Sequence, residues 1–195
     1  MGSSQAEKEA SRKRIVEAAA AQIRRDGIDA VRVSELMHEA GLTHGGFYRH
    51  FDSREQLIEE AIDAALTEGS RKTDTAEGVD RGAALAQVIE GYVSKAHRDN
   101  PQVGCGVAAL PADVSRCGSR ARQAYGRQVR RYIDGLVGLI APAEADVQRD
   151  EAVLILSALV GAVSMARAVD DAELSDEILM RTGRALHSHT QHGAG

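Results

Sequence analysis

A chain of 195 residues, 43% hydrophobic and 27% charged with three prolines, has room for one small and one medium domain and the profile of a folded helical protein rather than a disordered one. Its net charge of -5 excludes a protein that coats nucleic acid indiscriminately, because such proteins carry strongly basic surfaces. Two cysteines, Cys105 and Cys117, are too few for a disulfide framework, and no apolar segment follows the N-terminal charges, so the reading is of a cytoplasmic protein.

The charge is unevenly placed. Residues 1–56 carry nine basic and nine acidic side chains, and the rest of the chain 15 and 20, which suits an acidic body with a neutral, locally basic part that meets DNA. In chain order, Ile15, Ala18, Ala19, Gln22 and Ile23 recur at helical spacing and predict a helix over about 8–25, closed by Gly27. A short helix over about 33–40 follows, with Val33, Leu36, Met37 and Ala40 on one face and Gly41 at its end. Thr43 is then placed to cap a third helix over about 44–50. Asp52 or Ser53 caps a fourth helix, carrying Leu57, Ile58, Ala61, Ile62 and Ala65.

The polar stretch from Glu68 to Gly82 reads as a loop and domain joint. Helices follow at about 83–98, 103–116, 119–141, 148–169 and 173–190, with Pro101, Pro111 and Pro142 near their breaks. No stretch alternates with period two for long enough to make a strand, so the fold class is all-α. The apolar run Ala152 to Ala166 is shorter than the roughly 20 residues a membrane span needs and reads as a buried helix.

Two short helices around the turn Ala40-Gly41-Leu42-Thr43, with aromatic residues immediately after, have the layout of a helix-turn-helix. Three of the six aromatic residues fall between positions 47 and 51. Phe47 and Phe51, four apart, share a helical face and pack inward, which turns His44, Gly45, Tyr48 and Arg49 outward. The paired glycines cost roughly 1 kcal/mol each against alanine, and close approach of the backbone to DNA would explain them.

The segment Gly27 to Leu57, through Leu36-Met37-His38-Glu39-Ala40-Gly41-Leu42-Thr43, His44-Gly45-Gly46-Phe47-Tyr48-Arg49-His50-Phe51 and Ser53-Arg54-Glu55-Gln56-Leu57, resembles the tetracycline-repressor (TetR) family of regulators. The resemblance implies base contacts from His44, Gly46 and Arg49 and phosphate contacts from Thr43, Tyr48, His50 and Arg54, with Gly45 on the same surface. Glycine at 46 lacks a side chain that often reads a base. Arg32 stands where the family usually places a hydroxyl to cap the second helix; it cannot cap in that way but can reach a phosphate with its charge, and Ser34 is a substitute contact.

The resemblance also implies a helix-turn-helix domain at 1–52, a connecting helix at 53–70 and a helical ligand-sensing and dimerising domain at 71–195. Val153 to Met165 is apolar nearly all round, and Ala158, Gly161 and Ala162, with Met165, are expected at a close helix contact between two copies. Tyr92, His97, Tyr125 and Tyr132 are candidate effector contacts. Cys105, at a helix start between two glycines, is a candidate redox or electrophile sensor as well as a candidate packing residue.

No catalytic constellation, metal-ligand set or cofactor motif is present in the sequence; His187, His189 and His192 have the wrong spacing to share one helical face. The expected partners are double-stranded operator DNA, a small-molecule effector and a second copy, with no membrane. The expected function is that of a repressor released from a two-fold operator by its ligand. The alternatives are a thiol-switched regulator acting through Cys105, and an enzyme or ligand carrier built on the helical bundle.

Overall fold

A computed structural model describes residues 5–68 and 80–192. Every regular element among them is helical: α1 (Gln5–Asp26), α2 (Val33–Glu39), α3 (Arg54–Glu68), α4 (Arg81–Tyr92), α5 (Lys95–Asp99), α6 (Gly106–Ala109), α7 (Pro111–Arg116), α8 (Ser119–Val137), α9 (Ala145–Ala168) and α10 (Ala172–His192), with 3₁₀ turns at Ile28–Ala30, His44–Arg49 and Pro101–Val103. Most of the expected 68–82 joint lies outside the described residues.

The chain forms two compact units, one of residues 1–69 and 101–125, the other of 70–100 and 126–195. The division differs from the linear one read from sequence. The segment 101–125, expected in the sensing domain, folds with the N-terminal helices.

In the first unit α1 packs along α3. Ile15, Ala19 and Ile23, four apart, form one buried stripe, and Leu57, Ala61, Ile62 and Ala65 form the facing one. α3 starts where Ser53 Oγ accepts the N–H of Gln56 at 3.1 Å while Gln56 Oε1 accepts the N–H of Asp52 at 2.7 Å. This exchange satisfies donors that the first turn of a helix leaves without a partner. Gly27 closes α1 at φ +86°, and the next amide, Ile28 N–H, donates to Asp113 Oδ2 on α7 at 3.1 Å.

The expected helix over 103–116 is divided into α6 and α7, preceded by the 3₁₀ turn at Pro101–Val103, and two local features mark the starts of its parts. Proline opens α7 at its first position, and Gly106 lies so close to α3 that a Cβ there would sit 2.5 Å from the Ala65 carbonyl oxygen.

In the second unit the expected helix over 83–98 divides into α4 and α5, because Ser94 Oγ accepts the N–H of His97 at 3.1 Å and starts a new helix. Asp80 caps α4 and Asp171 Oδ1 caps α10 in the same manner. α9 buries Ala152, Ile155, Leu156, Leu159, Ala162, Val163 and Ala166 and packs mainly on α10. It is also the one described helix long and apolar enough to cross a membrane. Arg98 and Arg167 tie α5, α9 and α10 together. Arg98 bonds Ser175 and Asp176 on α10, and Arg167 of α9 donates to the carbonyls of His97 and Arg98.

Candidate nucleic-acid interface

Gly41 takes φ +72°, a conformation that costs other residues free energy, and so lets α2 stop abruptly. Gly41 N–H then donates to His38 O at 2.9 Å and Leu42 N–H to Met37 O at 2.8 Å, closing the last turn of α2. The chain turns into His44–Arg49, which is a 3₁₀ helix and not the α-helix expected from sequence. Thr43 precedes it in extended geometry, but its hydroxyl makes no cap, contrary to expectation.

The tighter winding leaves the aromatic logic intact. Phe47 and Phe51 are 3% and 1% exposed, with ring centroids 5.4 Å apart, whereas Tyr48 between them is 74% exposed. The two buried rings anchor the segment on the small core, and Tyr48 and Arg49 are held outward. A Cβ on Gly45 would meet nothing within 4 Å, but one on Gly46 would lie 3.5 Å from Met37 Cε. Gly45 is therefore the open glycine, and Gly46 is the half-buried one.

Two arginines expected at phosphates are bound to the chain. Arg32 Nη1 donates to Asp29 O at 2.8 Å from an exposed position, and Arg54 Nη2 reaches Ile28 O at 3.3 Å and Val31 O at 3.4 Å from a half-buried one. Arg54 thus holds the loop that leads into α2. Ser34 is exposed on the outer face of α2, beside Glu35, His38 and Glu39.

His50 ends the 3₁₀ segment. Its Nδ1 is buried without a hydrogen-bond partner, and burial, then Lys8, Arg12 and Arg49, hold its pKa below the usual histidine value. Arg12 was not singled out from sequence as a site residue. Its guanidinium lies 4.3 Å from the centre of the Phe51 ring and pairs with Glu60 at 2.5 Å. Only the packing of α1 on α3 brings these groups together, so local spacing held no signal for them.

The candidate effector residues are divided between the two units. In the second, the Tyr92 and His97 rings meet edge to face at 4.7 Å, His97 Nδ1 lies 2.6 Å from the Tyr92 carbonyl, and Tyr132 is 7% exposed. A carbonyl only accepts, so His97 Nδ1 carries the hydrogen. In the first unit, Tyr125 Oη donates to Val107 O at 2.8 Å, and its phenol is pushed up to about 12 by burial and by the neighbouring Cys105. Cys105 is 6% exposed.

Of the residues expected between two copies, Met165 is 54% exposed, Gly161 faces open space, and Ala158 is half-buried. Ala162 is corrected: at 1% exposure it packs inside its own unit, because it lies on the face of α9 that carries Ile155, Leu159 and Val163. Val147 and Leu154, each 53% exposed, extend the outer stripe that sequence reading had left out.

A helix-turn-helix whose exposed tyrosine is held by two buried phenylalanines, within an all-helical chain, defines a DNA-binding transcriptional regulator. Residues 15–61 match the model of the bacterial regulatory proteins, tetR family. A HTH-type transcriptional regulator of Bacillus subtilis, YfiR, is 35% identical over 60 residues, and the match spans 29% of that protein. One from Mycobacterium tuberculosis is 29% identical over 172 residues, covering 80% of this chain and 84% of the relative. A TetR transcriptional regulator from Chloroflexus aurantiacus shares the fold with a TM-score of 0.76 at 21% identity, over 92% of this chain and 96% of that one. The family model over residues 15–61, the regulator relatives and the shared fold together support a transcriptional regulator of the TetR family.

Proposed function

We propose that the protein is a homodimeric repressor that leaves a two-fold operator when a small molecule binds it. The observation that carries the DNA-reading part is Tyr48, 74% exposed between two phenylalanines that are almost wholly buried. A ring held outward on a rigid anchor is pre-organised, so little conformational freedom is lost when a partner covers it. Arg49, Gly45, Thr43, Ser34 and Arg32 are exposed around the same turn. In this reading they meet phosphates and base edges, and the His44 position joins them. Arg54 acts through the loop it holds.

Val147, Leu154, Ala158, Gly161 and Met165 recur along α9 at spacings of seven, four, three and four, and Leu174 and Met180 are exposed on α10. Such an apolar stripe, with a glycine that permits close approach, supports a helical interface with a second copy. Two copies match a two-fold operator. The effector site is assigned in this reading to the interior of the second unit, where Tyr92, His97 and Tyr132 lie, with buried Gln128 and Ser175 in the same unit, among aliphatic residues. The burial of Cys105 supports a ligand over a thiol switch, because an oxidant needs access to the sulfur.

The test is to select fragments of the source genome that the protein retains, then titrate the enriched sequence by gel shift. A palindromic fragment upstream of a gene whose reporter rises when the regulator is deleted is expected. Recovery of fragments with no shared sequence, or a reporter that falls, would overturn the repressor reading.

A further inference from the structure

Gln128 and Ser175 are both 4% exposed in the second unit, and their hydrogen bonds differ. Ser175 Oγ donates to Ala166 O at 2.7 Å and accepts from Arg98 Nη1 at 2.9 Å, so the hydroxyl is satisfied as donor and as acceptor. Gln128 Oε1 accepts from Arg131 Nη1 over a long 3.5 Å, but Gln128 Nε2 is buried and meets no acceptor. A guanidinium only donates, so Arg131 holds the amide oxygen on its own side and the NH₂, with two hydrogens to give, is turned the other way.

The periodicity of α8 sets where that group lies. Gln128, Tyr132 and Leu136, four apart, form one buried stripe, whereas Arg127, Arg130 and Arg131 are exposed. On such a stripe an aliphatic side chain would pack without leaving a donor unmade, and a buried unmade donor is costly. Among the described residues the second unit buries no carboxylate, ammonium, guanidinium or imidazole. Its two half-buried arginines are engaged, Arg98 by Asp99, Asp176 and Ser175, and Arg167 by the carbonyls of His97 and Arg98. An ionised molecule carried into this interior would lose its hydration and gain no counter-charge.

We propose that the effector is an uncharged, mainly apolar molecule with one hydrogen-bond acceptor, a ketone, ester or amide carbonyl, and that Gln128 Nε2–H donates to it. This rests on the effector-site reading above. A satisfied group exchanges one hydrogen bond for another when a molecule arrives, whereas the Gln128 NH₂ gains a bond it lacked. The gain is available to a carbonyl compound and denied to a hydrocarbon of the same shape, which makes Gln128 a specificity-determining residue.

The test takes the full chain and matched sets of linear, cyclic and aromatic ketones, each beside the hydrocarbon, carboxylate and amine of its skeleton. Calorimetry measures binding to wild type and to Gln128→Met, which keeps the length of the side chain and removes the donor, and thermal melts confirm folding. Wild type is expected to bind ketones and to bind the carboxylates and amines more weakly than the ketones of the same skeleton. In Gln128→Met the ratio of ketone to hydrocarbon affinity is expected to fall about tenfold, the scale of one hydrogen bond. A crystal of wild type with the tightest ketone is expected to show its oxygen within hydrogen-bond distance of Gln128 Nε2.

A carboxylate or amine that outbinds the ketone of its skeleton overturns the inference while leaving an effector site in the second unit. An unchanged ratio in Gln128→Met, or a ketone bound in that unit with its oxygen away from Nε2, does the same. A wild type that binds no compound of any set, or binds only outside the second unit, removes the effector-site reading and the inference together. Where Gln128→Met fails to fold, the wild-type crystal and the ranking of the four compound classes decide.

Discussion

Arg24, 6% exposed, donates from Nε to the carbonyl of Gln102 at 2.9 Å. Its Nη1 reaches the carbonyl of Ala65 at 3.3 Å. One side chain of α1 thus joins the last turn of α3 to the 3₁₀ turn at Pro101–Val103, three segments far apart in sequence. Ala65 O belongs to the final turn of α3, where carbonyls run out of helical partners.

Replacing Arg24 with methionine keeps the apolar stem but strands both carbonyls. A cost of about 2–3 kcal/mol is expected, the scale of leaving buried acceptors without their charged donor. Urea unfolding of the full chain measures it; a variant within about 0.5 kcal/mol of wild type, an ordinary surface effect, would show that the bonds contribute nothing net.

Tyr48 and Phe47 are neighbours with opposite tasks. Tyr48→Ala removes a ring already in water, so stability is expected to change by less than about 0.5 kcal/mol while operator affinity falls at least tenfold. Phe47→Ala empties a core position and is expected to cost about 3–5 kcal/mol. Melting curves beside gel shifts separate the two, and a Tyr48→Ala protein that binds like wild type refutes the interface.

At Gly161 a Cβ would meet nothing within the subunit. Gly161→Leu is therefore expected to leave the isolated subunit folded and to weaken only the contact with a second copy, where bulk forces the helices apart. Sedimentation should show a dimer for wild type and a shift toward monomer for the variant. A wild type that sediments as a monomer at micromolar concentration would end the dimer proposal.

The Tyr125 phenol, raised to about 12 by burial first and by Cys105 second, sets a prediction in alkali. A tyrosine in an unfolded chain loses its proton near ~10, so the folded state holds the proton more tightly. The contribution of this group to stability is intact below pH ~10 and is lost as pH rises from there toward about 12. Absorbance at 295 nm should show tyrosine ionisation continuing above pH ~10, and Tyr125→Phe should remove one tyrosine's amplitude from that late part. All four tyrosines ionising together would contradict the burial.

Local features were legible in the sequence because their causes lie within a few residues. The spacing of Ile15, Ala19 and Ile23 sets a helical stripe whatever lies opposite, Gly41 ends α2 through its own backbone freedom, and Phe47 and Phe51 must turn inward together, which leaves Tyr48 outside. The family resemblance rests on the same short segment, so class and fold came with it. Tertiary structure decided what depends on which segments meet. It wound His44–Arg49 as a 3₁₀ helix, turned Arg54 onto the carbonyls of Ile28 and Val31, and set Arg12 over Phe51. It folded 101–125 with the N-terminal helices through Arg24 and Asp113, and it put Ala162 inside while leaving Gly161 out. A long arginine reaches several places on a helical surface, and a small residue on an apolar helix fits either side. In both cases the chain by itself is degenerate, and only the partner surface chooses.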